Sequence, residues 1–315
     1  RGSEELGRER RRRLMPTLRI ASRASRLALV QVELVTAELQ AAHSDLQVEV
    51  VEIHTEGDQD RQTPLRVLGG RGVFVKGVED ALLDGRADVA VHSLKDVPSE
   101  PVPGLTIAAI PKRADPRDVL VASGGRTLAQ LPAGARVGTS SQRRVALLNA
   151  LRPDLEAVEI RGNVDTRIQK VMDGEADAVL LAASGMDRLG RLSEATQLFE
   201  AMVFLPAPGQ GALGVQCRSD DDDTLRLLAA LDHAETRAAV TAERGLLAAL
   251  GTGCSLPVGA YATVTGDLLT LRGMLSQDDQ ALPDFGDATG PLTDAAEIGR
   301  ELGRRLQARV GAEED

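Results

Sequence analysis

Residues 18–41 read LRIASRASRLALVQVELVTAELQA, and the reading of this stretch decides the fold class. Residues 18–22 suit a short extended strand. Residues 26–41 then place Leu27, Val30, Leu34, Ala37 and Ala41 at alternating spacings of three and four, one apolar face of an amphipathic helix. Working outward, 47–53 alternates as a second strand. Residues 74–84 read as a helix with Val75, Val78 and Leu82 on one side and Gly85 as its stop. The run Asp88-Val89-Ala90-Val91-His92 is a buried strand. Such alternation predicts an α/β chain with parallel sheets covered by helices.

Breaker clusters at 98–103 and 111–116 interrupt the pattern, the second marking an interdomain crossing. The rhythm then restarts, with strands at 136–139, 157–160 and 178–182. Helices are predicted at 142–151 and at 164–172, where Val164, Ile168 and Val171 align. Pro206-Ala207-Pro208-Gly209-Gln210-Gly211 is the next punctuation, leading into an apolar strand at 212–217. After the acidic run 220–223 the character changes: helices at 224–231 and 235–250, an antiparallel pair at 258–264 and 268–275 turning at Gly266-Asp267, and a closing helix at 295–306. Two similar α/β domains and a smaller α+β domain are expected.

The 315 residues are 43% hydrophobic and 27% charged, which excludes wholesale disorder. Aromatics are 2%, with no Trp, which disfavours the stacking platforms that bind single-stranded bases. No apolar run reaches the ~18–20 residues of a membrane span. Residues 1–16 hold six Arg against three Glu, contributing +3 of the formal net charge of −10, so the remainder carries −13 and repels polyanions. Residues 1–15 read as a disordered extension or cloning remnant before a start at Met15, without a secretory signal. Two cysteines, Cys217 and Cys254, do not make a disulfide framework and favour a reducing compartment.

Chemistry concentrates at strand ends. In Gly138-Thr139-Ser140-Ser141-Gln142-Arg143-Arg144 a strand runs into a helix start with two arginines in its first turn, where they oppose the helix dipole. Either these are solvated arginines behind an N-cap, or an anionic ligand compensates them. Arg161-Gly162-Asn163-Val164-Asp165-Thr166-Arg167 repeats the arrangement, and Arg19, Arg23 and Ser25 offer a third set. Loops at the ends of neighbouring parallel strands face one crevice, which suits a pocket for several carboxylates or phosphates. The spacing matches no nucleotide-binding loop, and no Cys/His cluster has metal spacing.

Asp96, beside Lys95, follows a buried strand directly, as an acid/base residue or as half of a turn salt bridge. His92 reads as a hydrogen-bonded core histidine. Cys254 lies in the loop Gly251-Thr252-Gly253-Cys254-Ser255, either incidental or a nucleophile or covalent attachment point, whereas Cys217 sits in an apolar strand.

These segments coincide with one family. Arg19-Ile20-Ala21-Ser22-Arg23, Gly69-Gly70-Arg71-Gly72-Val73-Phe74-Val75-Lys76, Ala90-Val91-His92-Ser93-Leu94-Lys95-Asp96-Val97-Pro98, the two arginine loops, Pro208-Gly209-Gln210-Gly211-Ala212 and Gly253-Cys254 occur in its order. From Arg19 to about Val310 the chain resembles the hydroxymethylbilane synthase, or porphobilinogen deaminase, family. The resemblance implies a transferase of tetrapyrrole (porphyrin, haem) synthesis. It condenses four porphobilinogen molecules with loss of ammonia, primed on a dipyrromethane cofactor held by a thioether to Cys254. It implies Asp96 as the catalytic carboxylate. It implies binding of substrate or cofactor carboxylates by Arg23, Arg143, Arg144, Arg161, Arg167 and Arg188, with Ser25, Ser93, Lys95, Thr139, Ser141 and Gln210 assisting. The glycine-rich stretch 56–72 becomes a mobile cleft loop, to which Arg71 and Phe74 belong.

The implied fold is two periplasmic-binding-protein-like α/β domains around a cleft: 16–110 with 211–230, and 111–210. A third, α+β domain, 231–315, carries the cysteine. No nucleic acid, no membrane, a monomer and a cytoplasmic location complete the expectation. The competing class is a two-lobed binding protein for small polycarboxylate anions, without catalysis.

Overall fold

The computed structural model describes residues 17–53, 75–251 and 256–311. The first sheet is built from β1 (Thr17–Arg23), β2 (Gln47–Ile53), β3 (Val89–Ser93) and β4 (Leu105–Ala109), with helices α1 (Arg26–Ala42) and α2 (Lys76–Leu83) between them. The second contains β5 (Asp118–Ala122), β6 (Arg136–Gly138), β7 (Glu156–Val158), β8 (Ala178–Ala182) and β9 (Gln197–Leu198). Its helices are α3 (Gln142–Leu151), α4 (Val164–Met172) and α5 (Ala183–Arg188). The chain then returns to the first sheet as β10 (Leu213–Arg218), followed by α6 (Asp222–Leu228).

The two sheets share one plan, β2-β1-β3-β10-β4 and β7-β6-β8-β5-β9. In each, the first three strands are parallel, and the fourth, the strand by which the chain enters from the other lobe, runs antiparallel to the third. The sheets are therefore mixed, where the βα rhythm alone predicted parallel ones. A strand arriving by a crossing is free of the βαβ connection that enforces parallel pairing.

Helix α1 forms where expected but buries a different face. Gln31, Val32, Val35 and Leu39 point inward, while Leu34 is 44% exposed and Ala37 and Ala41 face solvent. The helix is apolar almost all round, so three-four spacing fits more than one stripe, and only packing on β1 and β3 selects one.

The third unit consists of α7 (Ala234–Ala249), an antiparallel sheet of β11 (Val258–Thr265), β12 (Leu268–Leu275) and β13 (Asp284–Pro291), and α8 (Ala295–Gly311). Strand β13 carried no periodic signal: its run DFGDATGP is polar and rich in glycine. It sits at the sheet edge, where α8 crosses closely. Helices α7 and α8 meet backbone to backbone, since a Cβ on Gly299 would lie 2.0 Å from the Ala242 carbonyl oxygen.

Two crossing segments, 110–117 and 205–213, join the lobes and lie against each other, Ala114 N–H donating to Gly211 O at 3.2 Å. Gly211 has φ +87°, and a Cβ there would stand 2.6 Å from Ala114 O, so this position requires glycine. The third unit is fastened here by Glu243 of α7, whose side chain is fully buried. It accepts both guanidinium nitrogens of Arg113 (2.6 and 3.0 Å), Gly209 N–H (2.7 Å) and Ala262 N–H (2.9 Å). The next residue, Arg244, donates to the carbonyls of Val97 and Pro98, just past Asp96. One carboxylate thus ties both crossings to α7 and β11.

Removing it strands a buried guanidinium and two backbone donors. Glu243→Ala is expected to lower unfolding free energy by about 3–5 kcal/mol in urea denaturation, with Arg113→Met/Glu243→Leu clearly less damaging than the single change.

Candidate active site

Strand β3 is buried along its length and runs directly into a 3₁₀ turn, Leu94–Asp96, pinned by Leu94 N–H on Ala212 O at 3.0 Å. The turn brings Asp96 to a small cleft of about 80 Å³ whose lining includes Arg23, Ser25, Gln31, His92, Ser93 and Asp96. Four of the residues singled out in the sequence thus meet at the first lobe's strand ends. Ser25 caps α1, accepting Ala28 N–H at 3.3 Å. Ser93 Oγ accepts from Gln31 Nε2 at 2.8 Å, a partner that the sequence reading did not identify.

His92 is 6% exposed and its Nε2 lies 2.9 Å from Gln216 Oε1. Gln216 Nε2 donates to Glu79 at 3.1 Å, so Gln216 offers His92 an acceptor, and His92 Nε2 carries the hydrogen. Burial pushes the imidazole down to about 4, against the opposing pull of Gln216 and Asp96, so it is neutral at pH 7. The core-histidine reading agrees with these bonds. The residue also borders the cleft.

In the second lobe, Thr139 Oγ1 accepts Ser141 N–H at 3.1 Å and shapes the turn into α3, which Ser141 precedes without a side-chain cap bond. The tandem arginines do not stand in solvent. Arg143 and Arg144 are 5% and 6% exposed and clasp Asp118, the first residue of β5, whose carboxylate is fully buried. Asp118 Oδ2 accepts Arg143 Nη1 at 2.7 Å, and Oδ1 accepts Arg144 Nη2 at 2.6 Å and Nε at 3.2 Å. Further donors go to Leu205 O and Leu180 O. Burial alone would raise the Asp118 pKa; the two guanidiniums hold it well below the usual carboxylate range.

The anion compensating Arg143 and Arg144 at their helix start is the chain's own Asp118. Gln210 is completely buried, and its amide bonds Lys95 Nζ (3.2 Å), Pro116 O (2.7 Å) and Asp118 Oδ1 (3.0 Å). Lys95 itself is pushed down to about 8, chiefly by burial and also by Arg144 and Arg143, with Asp96 and Asp118 opposing.

The remaining arginines differ. Asn163 caps α4, accepting Thr166 N–H at 2.8 Å, and this sets Arg167, whose Nε donates to Gly162 O at 2.8 Å. Three influences act on Arg167 (burial, Arg144 and Arg161), and all disfavour its charge, lowering it to about 10. Arg188 donates Nη2 to Gly211 O at 2.9 Å, while its buried Nε finds no hydrogen-bond partner among the described residues. A group bearing several carboxylates fits this donor set: it would meet the excess charge at Arg167 and the open donor on Arg188. Cys254, Arg71 and Phe74 lie outside the described residues.

Asp118 and Glu243 were missed as functional supports, though each left a trace. Asp118 heads the apolar run DVLVA, and Glu243 falls on the apolar face of α7 between Ala239 and Leu246. A lone acid in a buried stripe requires a cationic partner elsewhere in the chain.

Arg144→Leu is expected to cost about 3–5 kcal/mol by leaving the buried Asp118 carboxylate with one guanidinium instead of two, while Arg161→Leu and Arg167→Leu stay within about 1 kcal/mol of the parent in chemical denaturation. Because His92 is neutral when folded and protonates near 6.5 when unfolded, stability should fall as pH drops from about 6.5 toward 4. His92→Gln should flatten that slope in pH-dependent unfolding.

Family models match nearly all of this architecture. "Porphobilinogen deaminase, dipyromethane cofactor binding domain" matches residues 18–226, and "Porphobilinogen deaminase, C-terminal domain" matches 237–308. A porphobilinogen deaminase of Roseiflexus sp. (strain RS-1) is 51% identical over 295 residues, covering 94% of this chain and 97% of that one. Another, from Trichlorobacter lovleyi, is 48% identical over 294 residues, covering 93% and 94%. A looser likeness, with TM-score 0.40 and 14% identity over 73% of this chain and 67% of the other, links it to a periplasmic sulfonate-binding protein of Methylobacillus flagellatus KT. With two family models across its length and relatives near one-half identity, the chain belongs to the porphobilinogen deaminase family.

Proposed function

We propose that this chain joins four porphobilinogen molecules with loss of ammonia and releases linear hydroxymethylbilane by hydrolysis. The observation that carries the reading is the position of Asp96: one carboxylate bordering the cleft, beside Lys95, within a site that is otherwise rich in cations. A reaction whose substrate brings carboxylates and passes through a cation needs both features. Covalently bound dipyrromethane supplies the pyrrole terminus on which the product is built.

Asp96 delivers a proton to the aminomethyl nitrogen of porphobilinogen as the carbon–nitrogen bond breaks, and ammonia leaves. The carboxylate then faces the cation left on the substrate carbon and lowers its energy until a pyrrole carbon attacks. The proton released from that carbon restores the acid. Arg23 on the first lobe and Arg161, Arg167 and Arg188 on the second hold acetate and propionate groups and fix ring position. Arg143 and Arg144, already paired with Asp118, contribute those donors that Asp118 leaves over, with Ser25, Ser93, Thr139 and Ser141 shaping the loops. The cleft-loop roles of Arg71 and Phe74 and the thioether to Cys254 rest on the sequence motifs.

The units 16–110 with 211–230, 111–210 and 231–315 are proposed to act as the moving parts. We propose a cytoplasmic monomer without nucleic-acid or membrane partners; the −13 charge of residues 17–315 opposes polyanions.

Intact-protein mass should reveal a dipyrrole adduct that Cys254→Ser loses and Cys217→Ala retains. Asp96→Asn should keep the adduct and turn over at least ~10²-fold more slowly, with Asp96→Glu intermediate. An adduct mapped to a Cys217 peptide, or Asp96→Asn near the parent rate, would overturn these assignments. A folded chain with no adduct and no turnover would leave only a polycarboxylate-binding protein.

A further inference from the structure

Gln210 occupies the crossing segment between the lobes, and its backbone has little freedom. Its N–H donates to Ala207 O at 2.9 Å, and its carbonyl accepts Arg113 Nε at 2.8 Å. Its neighbour Gly209 is held by Glu243, and Gly211 abuts Ala114 O. The side chain leaves this fixed point toward both lobes. Oε1 faces the Lys95 ammonium of the first lobe, and Nε2 faces Asp118 and Pro116 O of the second.

Those neighbours dictate the amide's orientation. Lys95 has only donors and the ionised Asp118 only acceptors, so turning the amide over would set like against like at both ends. The resulting line runs from Asp96 through adjacent Lys95 and Gln210 to Asp118, and from there to Arg143 and Arg144. A rotation of one lobe on the other that changes the Lys95–Asp118 separation must break a bond of Gln210, a residue with no exposed surface whose polar atoms are costly to leave unpaired.

We propose that Gln210 is a positioning residue that holds Lys95 of the first lobe in register with the Asp118–Arg143–Arg144 cluster of the second. Both lobes thereby present their charged groups to one ligand at a set spacing. The residue acts through Lys95 and Asp118 rather than by touching substrate. This rests on the catalytic reading above for the identity of the ligand, but the register itself is a property of the folded chain.

The chain has four lysines (76, 95, 112 and 170), so ¹³Cε-lysine NMR resolves Lys95, assigned by the signal lost in Lys95→Arg. The charged groups acting on Lys95 are Asp96, Asp118, Arg143 and Arg144. In the parent chain Lys95 should titrate near 8. Gln210→Met removes its acceptor and should move the titration down by about half a unit or more. Gln210→Glu puts a carboxylate in the same place and should move it up. In turnover assays of the full-length protein, Gln210→Met should raise the KM for porphobilinogen at least ~10-fold while kcat changes less, and Asn, too short to span both partners, should not rescue it.

A Lys95 titration unmoved in both variants, or a folded Gln210→Met with the parent KM, overturns the proposal. If Gln210→Met does not fold, the direction of the shift in Gln210→Glu decides alone. Absence of porphobilinogen turnover in the parent chain would instead refute the catalytic reading, and the lysine titration, which needs no turnover, would still decide the register.

Discussion

The structure turns on the fully buried carboxylate of Asp118. An isolated carboxylate in that position would be neutralised or would unfold the strand that carries it. Two guanidiniums and one amide hold it ionised, and they come from two distant parts of the chain: Arg143 and Arg144 from the start of α3, Gln210 from the return crossing. Strand β5, helix α3 and the crossing therefore converge on one anion. Their arrangement is set by electrostatics as much as by the apolar core behind them.

That convergence explains why charge is divided unevenly across the cleft. Arg143 and Arg144 are largely satisfied by Asp118 and backbone carbonyls. Arg167 on α4 and Arg188 at the end of α5 keep charge or donors that the described protein groups do not satisfy. Excess positive charge held on helices is costly to folding and useful to binding, a combination characteristic of sites built for an anionic ligand. Asp96 gains its importance from the same imbalance, as a carboxylate bordering the cleft with a cationic array next to it.

The third unit adds stiffness where the lobes meet. Glu243 and Arg244 are consecutive on α7, yet one binds the two crossings and the other the loop after Asp96. Any motion of the lobes during chain growth must bend about segments that this helix holds at one end. The glycine contacts between α7 and α8 bring that helix close to its own support, so the anchor has a firm base.

By itself the sequence determined the α/β class, the two-lobed repetition, most helix spans (short α5 excepted) and the positions of the strand-end loops, because these follow from local periodicity and turn chemistry within a few residues. It also singled out Asp96, Arg23, Ser25 and the arginine loops, since strand ends in such folds are where ligands meet the chain, and the family motif added Ser93. It did not determine strand β5, the antiparallel direction of β10, the buried stripe of α1, or edge strand β13. Each of these depends on what arrives from far along the chain. The pairing of the arginines was likewise beyond it: Arg143 and Arg161 look alike in their motifs, and only the approach of Asp118 from another strand gives Arg143 a buried carboxylate partner. Local pattern sets which elements form. Long-range pairing of buried charge decides which of their polar side chains remain available for function.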